Sequence, residues 1–230
     1  MGYLLLEGGA EFGGRMAEPD QKAIELAGGL DAPIRIVPTA AAPDGNHARA
    51  GRNGVEWFQS LGARDVSPVR LIDKASANSP TIAEALRGAK LIYLLGGFPD
   101  YLGKTLQGSL AWQAALEAYQ CGAVIAGSSA GAMVLCQHYY EPDSCRVFEG
   151  LGLVHHALVL PHHNTYGKKW AACLSSKPPG VTLIGLDERT GLLDDGYGEN
   201  WSVFGQGAAT IYSGNETRVY CAGESFSIHP

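Results

Sequence analysis

No run of apolar residues in this sequence approaches the roughly 20 needed to cross a bilayer as a helix, so no membrane partner is expected. No basic cluster stands out either. The 17 Lys and Arg against 23 Asp and Glu leave a formal net charge of −6. A nucleic-acid partner, which needs a positive footprint, is therefore not expected. Cysteine is scarce and odd in number, with five residues (Cys121, Cys136, Cys145, Cys173, Cys221) and no Cys-x-x-Cys spacing. That argues against a disulfide framework and for free thiols in the cytoplasm. Met1–Leu6 lacks the basic start and the length of a secretory signal and reads as a first strand. Internal repeats and Pro/Ser-rich linkers are both missing, so residues 1–230 read as one domain.

Glycine is abundant, at 31 residues, and many glycines directly follow an apolar run. That placement suggests tight strand-to-helix turns. Strands are expected at Tyr3–Glu7, Ile34–Val37, Val66–Leu71, Leu91–Leu95, Ala123–Ala126, Gly152–Leu160 and Thr182–Leu186. Helices are expected at Gln21–Ala27, Val55–Leu61, Thr81–Arg87 and Leu110–Tyr119. Trp201–Tyr212 and Thr217–Ile228 alternate like an antiparallel hairpin turning at Ser213-Gly214-Asn215-Glu216. Pro43–Asn53 and Glu141–Phe148 read as surface excursions. Alternating strands and helices imply an α/β fold with a mostly parallel sheet sandwiched by helices and a C-terminal antiparallel hairpin.

The most informative stretch runs from Val124 to Leu135. A buried strand leads into Gly127-x-Ser129-x-Gly131, and a small-residue helix starts at Ala130. Such a turn lifts a serine hydroxyl above the sheet, with the Ala130 N–H beside it at a helix N-terminus. Other polar residues also fall where strands end, the edge at which parallel sheets bind ligands. They include His162 and His163 after Leu160, and Asp187 and Glu188 after Leu186. A serine, a histidine and a carboxylate on one sheet edge supply a nucleophile, a base and an acid to orient the base. The residues alone leave His162 and His163 open, and likewise Glu188, Asp187 and Asp143. His155, His156, His162 and His163 lack a helical i, i+4 pair and a nearby cysteine, and adjacent strand histidines face opposite ways, so no metal site is expected.

Several stretches together resemble peptidase family S51, the family of cyanophycinase and peptidase E. They are Gly8-Gly9-Ala10-Glu11, Ile36-Val37-Pro38-Thr39-Ala40, Leu94-Leu95-Gly96-Gly97, Gly127-Ser128-Ser129-Ala130-Gly131-Ala132 and Ile184-Gly185-Leu186-Asp187-Glu188-Arg189-Thr190. The resemblance implies a flavodoxin-like, class I glutamine amidotransferase-like fold. It implies a serine exopeptidase acting on small peptides, aspartyl or β-aspartyl among them, with no cofactor. Its motifs match Ser129 as nucleophile, His162 as base and Glu188 as third member, with Asp143 the counterpart in the peptidase E branch. Gly97 and Ala130 are the implied oxyanion donors, and Asp100 and Lys168 fall in the segments implied to bind substrate. Lys169, Arg49 and Arg52 are further candidate cations for an acidic substrate. Phe98-Pro99-Asp100 and Asn164–Lys169 depart from the cyanophycinase pattern, which argues against cyanophycin itself. A homodimer is compatible with the sequence. A non-hydrolytic binding protein of amidotransferase-like architecture is the alternative.

Overall fold

The computed structural model describes residues 1–174, 180–198, 200–213 and 216–228. Five strands form its parallel centre: β1 (Tyr3–Glu7), β2 (Ile34–Val37), β3 (Val66–Pro68), β4 (Leu91–Leu94) and β5 (Val124–Ser128). They lie in the order β1-β5-β4-β2-β3. The inner strands β1, β5, β4 and β2 are short and mostly apolar because both faces are covered, whereas β3 is a half-exposed edge strand. The pleat divides them: Leu4, Leu6, Ile92, Leu94 and Ile125 join one core, whereas Leu5, Leu91, Tyr93, Val124 and Ala126 join the other. Covering helices are α1 (Ala17–Leu26), α2 (His47–Ser60), α3 (Lys74–Ala77), α4 (Pro80–Arg87), α5 (Pro99–Leu106), α6 (Leu110–Gln120), α7 (Ala130–Leu135) and α8 (Lys168–Cys173).

The rest of the chain is less regular. Strands β6 (His138–Glu141) and β7 (Arg146–Glu149) form a separate hairpin. Strands β8 (Ala157–Leu160) and β9 (Thr182–Leu186) pair in parallel. Then β10 (Thr190–Asp194) and β11 (Asn200–Gly205) add to the β1 edge antiparallel. Next, β12 (Ala208–Ser213) and β13 (Glu216–Cys221) extend β9 antiparallel, giving a second sheet of order β13-β12-β9-β8. Finally β14 (Ser225–Ser227) closes the first sheet against β11. The expected C-terminal hairpin is β12–β13, and its tip at residues 214–215 lies outside the described residues.

Several expectations change. The helix expected from Val55 starts at His47. Its glycines hid it: Gly51 and Gly54 face the sheet, and a Cβ on either would lie 3.1 Å from Pro68 Cβ or 3.0 Å from Ile36 Cγ2. Glu141–Phe148 is a hairpin instead of a loop, and α5 and β10 were not anticipated. Trp201–Tyr212 is two strands in two sheets, split at Gln206-Gly207. His155 and His156 occupy a turn before β8, not a strand. The expected single sheet edge is an edge shared by two sheets, because β8 and β9 do not join the first one.

Directly beneath that edge lie acids without a cation. Glu7 and Asp20 are fully buried. Tyr93 O–H donates to Glu7 Oε2, and Trp57 Nε1–H donates to Asp20 Oδ2 at 2.7 Å. The second oxygens, Glu7 Oε1 and Asp20 Oδ1, are buried with no hydrogen-bond partner among the described residues. Burial, the largest cause, raises Glu7 well above its ordinary value and Asp20 to about 7. A carboxyl raised on folding contributes stability at low pH that is lost as pH rises through its folded value. Unfolding free energy should therefore fall across roughly pH 4 to 7 on account of Asp20. Asp194, raised to about 6 by burial, adds to the same slope. Urea titrations of wild type and Asp20→Asn should differ by a flatter pH dependence in the variant. Identical slopes would contradict a raised Asp20.

Candidate active site

The tight turn expected around Ser129 connects β5 to α7. Ser129 has φ 49° and ψ −111°, a strained conformation for a side-chain-bearing residue. Two glycines make it sterically available. A Cβ on Gly127 would lie 2.5 Å from Gly131 C, and one on Gly131 would lie 2.2 Å from Leu94 O. The Ser129 N–H donates to Glu7 O at 3.0 Å, anchoring the turn to the neighbouring strand. Ser129 Oγ is thereby placed 3.0 Å from His162 Nε2.

His162 follows β8 and is itself left-handed, at φ 52° and ψ 35°. Its N–H donates to Gly8 O at 2.7 Å. A π-helical turn, His163–Gly167, comes next and folds back on it, with the Gly167 N–H 2.8 Å from His162 O. Such turns concentrate at functional sites. Tyr166 stacks on the imidazole at 4.7 Å between centroids. On the other side, a Cβ on Gly9 would lie 2.3 Å from His162 Cε1. The ring is thus held between a tyrosine and bare backbone.

His162 Nδ1 lies 2.8 Å from Glu188 Oε1. A carboxylate only accepts, so Nδ1 carries the proton and Nε2 is left to accept from Ser129. Glu188 is oriented in turn: its N–H donates to Asn164 Oδ1 at 3.0 Å. The Thr165 hydroxyl lies 3.2 Å from Glu188 Oε1 and 3.0 Å from His162 O, one donor shared by two acceptors. The chain thus brings Ser129, His162 and Glu188 into one relay. Asp143 sits in the turn of the β6–β7 hairpin. The neighbouring pair faces elsewhere: His163 Nε2 is 2.8 Å from the Tyr212 hydroxyl, and Nδ1 is 3.5 Å from Asp187 Oδ1. Burial is the main cause of a lowered His163 pKa. Among the described residues, no three His, Cys, Asp or Glu side chains converge as a metal-binding cluster.

A cleft of about 440 Å³ opens beside Gly96 and Gly97, lined also by Glu11, Asp44, Asn46 and Arg49. Gly96 approaches Ser129, since a Cβ there would lie 3.2 Å from Ser129 Cβ. Gly97 and Ala130 occupy the end of β4 and the first turn of α7. Of the substrate-binding candidates, Asp100 is tied to its own surroundings. Its Oδ2 accepts from Lys104 Nζ at 2.8 Å, and its Oδ1 from Tyr139 O–H at 3.3 Å. Lys168 is exposed at the start of α8, followed by Lys169. Arg49 lines the cleft, whereas Arg52 is exposed elsewhere on α2. Sequence reasoning missed Gly9, Asn164 and Thr165 as supports. The signal for them was their place within Gly8-Gly9-Ala10-Glu11 and Asn164–Lys169.

Comparison with known proteins places these features in context. The family model "Peptidase family S51" matches residues 4–198. A cyanophycinase from Synechococcus elongatus is 28% identical over 222 residues, covering 91% of this chain and 67% of the relative. The crystal structure of a peptidase from an acI-B1 Actinobacterium superimposes with a TM-score of 0.89 at 31% identity, covering 99% of this chain and 97% of that one. A candidate peptidase E protein from Listeria monocytogenes EGD-e shares the fold, with a TM-score of 0.61 at 17% identity over 97% of this chain and 100% of that one.

The imidazole contact generates a test. Gly9→Ala introduces a Cβ where the ring stands, at a backbone φ of +101°. Displacing a catalytic group by an ångström costs about a hundredfold in rate. The variant should lose about that in kcat while its circular dichroism spectrum is preserved. Undiminished kcat would show that the ring position does not matter.

Proposed function

Because the chain belongs to peptidase family S51 and is a serine peptidase, we propose that Ser129, His162 and Glu188 perform its acyl transfer. The observation that carries this reading is the continuous relay of 3.0 Å and 2.8 Å through the His162 ring. Ser129 Oγ attacks the scissile carbonyl as His162 Nε2 takes its proton. The imidazolium formed is stabilised by Glu188, and its proton passes to the leaving amine. Water then gives a proton to His162 Nε2 as its oxygen bonds to the acyl carbon, and that proton passes to Ser129 Oγ as the ester bond breaks and the acid leaves. The N–H groups of Gly97 and Ala130 receive the negative charge that develops on the carbonyl oxygen; Ala130 supports this role by standing at a helix N-terminus.

The substrate we propose is a small peptide cut as an exopeptidase would, with an aspartyl side chain or a β-aspartyl linkage. Support comes from the modest cleft and from Arg49 within it, which has no ion pair among the described residues. Cyanophycin, which the name of the Synechococcus relative indicates as that protein's substrate, is not favoured, since Asp100 is engaged by Lys104 and Tyr139.

Loss of a triad nucleophile costs about a millionfold in kcat, and neutralising the acid about ten-thousandfold. Ser129→Ala and Glu188→Gln should fall by those orders in steady-state dipeptide hydrolysis, while Asp143→Asn stays near wild type. A large loss in Asp143→Asn with little in Glu188→Gln would reassign the third member. In a panel of Asp-X, β-Asp-X and neutral dipeptides, acidic members should be preferred in kcat/KM. Preference for neutral ones would overturn the substrate assignment.

A further inference from the structure

Glu11 is carried to the rim of the nucleophile by strained backbone. Ala10 (φ 55°) and Phe12 (φ 66°), on either side of it, are both left-handed, which residues with side chains avoid. The Phe12 ring is fixed against Tyr93 and Trp57, at 5.7 and 6.3 Å between centroids. The loop so held turns the Glu11 carboxylate back toward the sheet edge. Oε2 accepts from the Ser128 hydroxyl at 2.9 Å. Oε1 is on the Gly96 side: a Cβ on Gly96 would lie 3.5 Å from it and 3.2 Å from Ser129 Cβ. About one small side chain's width separates this carboxylate from the nucleophilic residue.

No Lys, Arg or His nitrogen among the described residues forms an ion pair with Glu11. The surroundings add further acid, with the buried Glu7 and Asp20 nearby and Asp44 in the same cleft, where the one lining cation, Arg49, forms no ion pair with Glu11. A fixed negative charge here opposes the oxyanion that must form at the attacked carbonyl. For a serine peptidase it is a handicap unless the substrate brings the counter-charge.

Resting on the reading of Ser129 as nucleophile, we infer that Glu11 is a specificity residue that binds a cationic nitrogen of the substrate. The free α-ammonium of a dipeptide is the cation nearest its scissile bond, and a lysine or arginine side chain is the other source. Glu11 accepts hydrogen bonds from that nitrogen through Oε1 while Oε2 stays on Ser128. A substrate that brings such a nitrogen offsets the negative charge of Glu11. Where that nitrogen is the α-ammonium, the same contact disfavours peptides whose amino end is blocked, as an exopeptidase requires.

The test uses the full chain and matched substrates: a dipeptide with a free amine, its N-acetyl form, and an N-acetyl form carrying arginine beside the scissile bond. A charge-assisted hydrogen bond is worth roughly ten- to a hundredfold. Wild type should favour a cation-bearing substrate over the neutral acetylated one by that factor in kcat/KM. Glu11→Gln, which can still accept from Ser128, should bring the ratio close to one, and Glu11→Asp should restore part of it. A free-amine preference assigns the α-ammonium, and an arginine preference assigns the side chain; either supports the inference if it depends on Glu11. Equal losses on all substrates in Glu11→Gln would mark a purely structural role and overturn it. An unchanged ratio would do the same. If Ser129→Ala hydrolyses these peptides as fast as wild type, the nucleophile assignment fails together with this inference. If hydrolysis needs Ser129 and the ratio ignores Glu11, this inference alone fails.

Discussion

Three consecutive backbone units at the end of β1 hold the site together. The carbonyl of Glu7 takes the Ser129 N–H, that of Gly8 takes the His162 N–H, and that of Gly9 takes the Arg189 N–H next to Glu188. Ser129 leaves the first sheet, while His162 and Glu188 leave the second. Without this seam the relay would have to be built across two independently packed layers. Both glycines are needed at that seam. A Cβ on Gly8 would meet Asp187 O at 2.0 Å, and one on Gly9 would meet the imidazole. Backbone hydrogen bonds suit the purpose because their geometry leaves little play, whereas rotamer-rich side chains would have to be ordered first.

What could be read from the residues follows from how locally it was encoded. The parallel strands were legible because each is a short apolar run stopped by glycine or proline, as in Leu91–Leu94 before Gly96-Gly97. The turn at Ser129 was legible because glycine, serine and glycine at alternate positions have few other uses between a buried strand and a helix. By contrast, α2 was shortened because its sheet-facing glycines look like loop residues. The division of strands between two sheets was invisible, since strand pairing is a long-range choice that no local pattern records. The distances within the site belong to the same class. His162 and His163 are neighbours in sequence, yet one meets Ser129 and the other Tyr212. Only the left-handed backbone at His162 decides that.

Charge is distributed unevenly around the seam. Glu7, Asp20 and Glu11 lie on one side, held by the Tyr93 hydroxyl, the Trp57 N–H and the Ser128 hydroxyl and joined in no ion pair among the described residues. On the other side, Glu188 sits beside the histidine it orients, with Asn164 and Thr165 as supports. The two groups of acids therefore differ in setting. Glu7 and Asp20 are buried and raised by that burial, whereas Glu188 stands against the imidazole it accepts from.

The central claim is that Ser129, and not its neighbour Ser128, is the residue activated by His162. Reaction with a fluorophosphonate, followed by peptide mapping in a mass spectrometer, tests it directly. The account predicts one adduct, localised to Ser129, formed by wild type and lost in His162→Ala. An adduct on Ser128, or labelling that persists without the imidazole, would contradict it.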